Sequence, residues 1–156
     1  MDTMNNSRIS REEYFMEVAK LTAYRSTCPK KSVGAILIKD NRIIATGYNG
    51  VLPHIDHNKG IDEAGKTHTV HAEANLISFC AKKGIPTEGT VLYTTLSPCD
   101  KCAELIIQSG IESVVYLEAY RDHSGTGKLI RNKIKVDSYE FMAKPYLNKP
   151  FLDEKC

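Results

Sequence analysis

With 156 residues, 42% of them apolar and 26% charged, the chain has the balance of an ordinary soluble domain and enough length for one substantial core. A net charge of +2 provides no basic stripe for a long nucleic acid, and no apolar run is long enough to cross a membrane. Five cysteines, an odd count, and a polar start from Met1 to Ser10 fit a reducing, cytoplasmic setting better than a secreted disulfide framework.

One domain over 1–156 is expected, with 138–156 as a C-terminal arm. Ser10-Arg11-Glu12-Glu13 is a capping-box sequence, and Tyr14, Phe15, Val18 and Leu21 follow at helical spacing to about Tyr24. Arg25, Lys30 and Lys31 beyond it read either as a phosphate clamp or as a solvated charged turn. Val33 to Ile38 and Arg42 to Tyr48 are β-rich runs joined at Lys39-Asp40-Asn41, which predicts a hairpin. Asn49-Gly50 is a turn signal, so Asn49 is either a turn residue or a substrate contact at a strand end. Val51 to Val70 has no periodicity. Its His54, His57 and His68 are polar filler or, with Cys28, the ligands of a second, structural zinc.

A helix is expected from about His71 to Gly84, then a strand over Thr90 to Thr95. Ser97 as N-cap and Pro98 at the first helical position predict another helix ending at Gly110. Cys99 and Cys102 then share one face of its first turn, where both sulfurs reach one metal and the helix N-terminus favours thiolate. If the two helix starts converge, His71 completes a three-ligand zinc site with its fourth position open for water. Glu73 is the nearby carboxylate that can move protons. A lone C-x-x-C is also a redox pair or half a zinc knuckle, and a lone H-x-E is common. Together, in this order, with Pro98 before the first Cys and 27 residues between His71 and Cys99, they form the pattern of zinc-dependent nucleobase deaminases.

Val114 to Leu117 centres the next strand, and Tyr120-Arg121-Asp122 follows its end, where α/β sheets bind ligands. Asp122 to Arg131 is expected to be weakly helical at best, because Gly125 and Gly127 interrupt it. Ile134 to Val136 reads as a final edge strand, and Tyr139 to Cys156, with Pro145 and Pro150, as an extended arm that lies on an apolar surface such as that of a neighbouring subunit. Alternating strands and helices predict an α/β layer fold with parallel pairing.

Over about residues 14–137 the chain resembles the deoxycytidylate (dCMP) deaminases of the cytidine deaminase superfamily. The likeness rests on Val33-Gly34-Ala35, Gly47-Tyr48-Asn49-Gly50, His71-Ala72-Glu73-Ala74-Asn75, Ser97-Pro98-Cys99-Asp100-Lys101-Cys102 and Val114-Val115-Tyr116. It implies a three-layer α/β/α sandwich around a five-stranded mixed sheet, zinc on His71, Cys99 and Cys102, and Glu73 as catalytic proton shuttle. It further implies substrate contacts from Asn49 and Tyr120, dCMP as substrate, a homohexamer, activation by dCTP and inhibition by dTTP, with Mg2+ accompanying the allosteric nucleotide. Some relatives carry a second zinc with a Cys at the position of Cys28, but the usual further loop cysteines are histidines nearby here. The competing readings are another deaminase on the same scaffold, for a nucleoside or a tRNA adenosine, and a non-catalytic zinc-binding, nucleotide-sensing domain.

Overall fold

The computed structural model describes residues 8–142 apart from 57 and 59. Ser10 accepts a 3.0 Å hydrogen bond from the Glu13 N–H and caps α1 (Arg11–Ala23), as its capping-box sequence predicts. β1 (Gly34–Lys39) and β2 (Arg42–Tyr48) form the expected hairpin. Asp40 and Asn41 stand at φ 48° and 59°, the left-handed pair that a two-residue loop between twisted strands needs. After a long loop come α2 (Ala72–Lys83), β3 (Val91–Leu96), α3 (Asp100–Gln108), β4 (Ser113–Glu118), α4 (Ser124–Arg131), β5 (Lys135–Ser138) and the short α5 (Tyr139–Met142).

The strands make one mixed sheet in the order β2-β1-β3-β4-β5. β1 pairs antiparallel with β2 and β3, whereas β3, β4 and β5 are parallel, each reached through a crossover helix. Side-chain alternation then divides the interior into two cores. Ala35, Leu37, Leu92 and Val114 face Leu76, Cys80, Ala103, Ile106 and Leu129 of α2, α3 and α4. Ile36, Ile38, Tyr93 and Val115 face Phe15, Met16 and Ala19 of α1. This is the three-layer α/β/α arrangement expected above. Among the described residues, no helix is long and apolar enough to cross a membrane.

Several local expectations change. The Gly125-x-Gly127 stretch does not interrupt a helix; it lies within α4. A Cβ on Gly125 would sit 2.0 Å from the Pro98 carbonyl oxygen, so glycine is what lets α4 press against the entry to α3. Lys128 of α4 then reaches Asp100 and Glu104 of α3, each at 2.7 Å. The arm is not extended at its start, since Tyr139–Met142 is a helical turn with Tyr139 packed on the α1-side core. The remainder of the arm, 143–156, lies outside the described residues. Asn49-Gly50 makes no left-handed turn; Gly50 continues into an antiparallel bridge with Val70.

Candidate active site

The first residues of α2 and α3 meet at the floor of a cavity of about 430 Å³. His71 and Cys99 are the N-caps of these helices, in place of the expected cap at Ser97. Both have extended backbone and neither side chain caps its own helix, so both are free to point into the cavity. Gly47 brings β2 against the start of α2, where a Cβ would come within 2.7 Å of the Ala72 carbonyl oxygen. Asn75 fixes the same turn by donating to the Tyr48 carbonyl at 2.8 Å.

His71 Nδ1 lies 3.5 Å from Cys99 Sγ and 3.4 Å from Cys102 Sγ, and all three donor atoms fall within 4.8 Å of one another. Zinc bonds of about 2.3 Å to sulfur and about 2.0 Å to nitrogen at a tetrahedral angle separate N and S by about 3.5 Å. The donor set therefore fits zinc without rearrangement. Its charges point the same way. Hydrogen bonds from Cys102 and His71 hold the Cys99 thiol down at about 3. That same partnership, together with burial, pushes the Cys102 thiol up, and the Cys99 sulfur raises His71. A cation among the three allows both sulfurs to ionise at once.

Glu73, the second residue of α2, is 4% exposed, and burial pushes its carboxyl up. It lines the cavity beside His71 and Cys99. A carboxyl with raised proton affinity at that place is suited to accept a proton and return it.

The upper wall comes from residues far apart in sequence. Tyr120 lines it, and its N–H donates to the hydroxyl of Ser97, which lies two residues before the α3 cap, at 2.7 Å. Lys30, Lys31 and Arg121 also line the cavity, with Lys30 bonded to the Gly65 carbonyl at 2.9 Å and Lys31 to Glu118 at 2.8 Å. Arg121 was not among the expected site residues; its place after the C-terminal end of β4 was the available signal. Asn49 reaches the same wall, its amide bonded to Ser26, Lys31 and Val33.

Of the candidate second zinc set, Cys28, His54 and His68 form no group of three metal-type donors among the described residues. Cys28 Sγ accepts from the Thr69 hydroxyl at 3.6 Å, His68 pairs with Asp62 at 2.8 Å, and His54 is exposed. His57 lies outside the described residues. Among the described residues, His71, Cys99 and Cys102 are the one group of three metal-type donors. Asp62 also accepts from the Lys66 N–H, so His68 and its acidic partner serve the loop's own turn.

A family model for the cytidine and deoxycytidylate deaminase zinc-binding region matches residues 9–118. The chain is 46% identical over 121 residues to ComE operon protein 2 of Bacillus subtilis, covering 74% of this chain and 64% of that protein. It is 35% identical over 149 residues to the deoxycytidylate deaminase of Saccharomyces cerevisiae, covering 88% of this chain and 47% of that one. It thus spans between about half and two thirds of the length of these relatives. The crystal structure of dCMP deaminase from the cyanophage S-TIM5, in complex with dCMP and dUMP, superposes with a TM-score of 0.78 at 32% identity, over 84% of this chain and 99% of that one. The matched span runs from the cap of α1 to the end of β4 and so contains both converging helix starts and the carboxyl between them. On that correspondence of sequence, fold and donor geometry, the chain belongs to the cytidine and deoxycytidylate deaminase family.

Proposed function

We propose that the chain hydrolytically deaminates dCMP to dUMP and ammonia, supplying dUMP for thymidylate synthesis. The observation that carries this reading is a buried carboxyl, Glu73, beside a His–Cys–Cys donor set on the floor of a cavity rimmed by Lys30, Lys31 and Arg121. His71, Cys99 and Cys102 would hold zinc, which when bound would acidify a water towards neutrality. Glu73 takes the proton of that water and hands it to cytosine N3, which leaves C4 open to addition of the water oxygen. Glu73 then takes the remaining proton from that oxygen and delivers it to the exocyclic amine, so that the C–N bond breaks to ammonia and the oxygen stays on C4 as the carbonyl. Tyr120, held by Ser97, walls the nucleotide, and the three rim cations suit a 5′-phosphate.

The S-TIM5 and yeast relatives, both named for action on dCMP, support the substrate choice. The same likeness underlies the regulatory part of the reading: a cytoplasmic homohexamer, activated by dCTP with Mg2+ and inhibited by dTTP. The deciding experiment measures ammonia release from dCMP, deoxycytidine, dCTP and an adenosine-containing tRNA stem-loop, with and without added dCTP and magnesium. Preferential turnover of dCMP, stimulated by dCTP, is the expected result. Activity confined to the nucleoside or the RNA keeps the chemistry and overturns the substrate. Silence on all four substrates in a zinc-loaded chain points to a non-catalytic nucleotide-sensing domain.

A further inference from the structure

Residues 26–33, between α1 and β1, have no regular secondary structure, yet they supply Cys28, Lys30, Lys31 and Val33 to the cavity wall. Backbone polar groups in such a segment must find partners elsewhere, and many of these converge on one residue. Asn49 Oδ1 accepts from the Val33 N–H at 2.8 Å and the Ser26 hydroxyl at 2.6 Å, while Nδ2 donates to the Lys31 carbonyl at 2.6 Å. The Asn49 backbone adds its N–H to the Val33 carbonyl and its own carbonyl to the Thr27 N–H, both at 3.2 Å. The Ser26 hydroxyl also reaches the Asn49 carbonyl at 2.9 Å. One side chain, 6% exposed, therefore ties the beginning of the segment to its end.

The amide has one workable orientation. Turning it over would set its NH2 against the Val33 N–H and its oxygen against the Lys31 carbonyl, two repulsive contacts. We infer that Asn49 is a positioning residue that clamps segment 26–33 into the cavity wall and thereby sets how substrate is captured. It acts through Ser26, Lys31 and Val33 and leaves the proton path at Glu73 untouched. The capture part rests on the function proposed above; the clamp itself does not.

The test compares Asn49→Asp and Ser26→Ala with the parent chain, all zinc-loaded. Aspartate keeps the shape and the acceptor but sets a second oxygen against the Lys31 carbonyl. Without substrate, amide hydrogen exchange across 26–33 should rise about tenfold in Asn49→Asp and less in Ser26→Ala, as befits loss of a buried hydrogen bond. With dCMP, KM should rise about tenfold while kcat stays within about twofold and zinc per chain is unchanged. The double variant should show less than the product of the single effects, because both changes break the same network. A rise in KM for Asn49→Asp alone, with exchange across 26–33 unchanged in both variants, would make Asn49 a direct substrate ligand and overturn the clamp. Should Asn49→Asp fail to fold, Ser26→Ala decides: unchanged exchange and unchanged KM overturn it. If the parent chain turns over no dCMP, the functional reading falls and the exchange arm still judges the clamp.

Discussion

Glu73 draws its chemistry from two facts of position. It sits in the first turn of α2, two residues past a zinc-type ligand, and it is buried, so its proton is held more firmly than on a surface carboxyl. Glu73→Gln keeps the side-chain shape and leaves all three metal donors in place. It should retain the zinc content of the parent while kcat for dCMP falls by about 10²–10⁴, the range that general acid–base groups contribute. Metal analysis beside steady-state kinetics reads both, and undiminished turnover would remove Glu73 from the mechanism. These four residues were legible in the sequence because spacing alone places them at the starts of two helices. The rim was legible only in part: Lys30 and Lys31 stand together in the sequence, but Arg121, and the partners Gly65 of Lys30 and Glu118 of Lys31, are brought to them by the fold. The loop histidines were read two ways for a related reason. Ligand type without a spacing rule says nothing about partners, and the fold gives His68 to Asp62.

At the scale of elements, local signals sufficed where the element stabilises itself. The Ser10 cap, the Asp40-Asn41 hairpin and the glycine at the left-handed end of α2 (Gly84, φ 68°) needed no knowledge of the rest of the chain. They failed where a neighbour decides. Ser97 reads as a cap but answers to Tyr120, and the Gly125-x-Gly127 stretch reads as a breaker but is a contact surface. The second case gives a prediction. Alanine has the better intrinsic helix propensity, by about 1 kcal/mol, yet at Gly125 its methyl would overlap the backbone at Pro98 and Cys99. The clash should win: Gly125→Ala should destabilise the chain by about 1–3 kcal/mol in urea unfolding, the usual scale of overpacking. Because the displaced backbone leads directly into Cys99, zinc should also be lost more readily to a competing chelator. Lost stability with unchanged zinc retention would mean that α4 supports the fold without positioning the metal donors.

Over the whole molecule, one sheet separates two cores, and the parity of a strand residue decides which it joins. The order of strands and helices foretold the layers and the parallel half. The split of neighbours such as Leu92 and Tyr93 between cores follows from pleat geometry once the register is known. Tyr93 is the feature of the α1-side core with a consequence for pH. It is 6% exposed and meets Phe15 edge-on, with ring centroids 5.5 Å apart. Burial, reinforced by Glu12, Asp137 and Tyr139, pushes its phenol from 10.0 up to about 12. In the unfolded chain the phenol ionises near 10, whereas the folded chain keeps its proton. Between those values the unfolded state binds fewer protons, so stability must fall as pH rises. The contribution is fully present below about 10 and is lost by about 12. Tyr93→Phe preserves the ring contact and abolishes the titration. Its urea midpoint, compared with that of the parent at pH about 8 and about 11.5, should gain on the parent as the solution becomes alkaline. Parallel loss of stability in the two chains would place the alkaline sensitivity elsewhere, with Tyr139 and Cys80, both also raised by burial, the next groups to substitute.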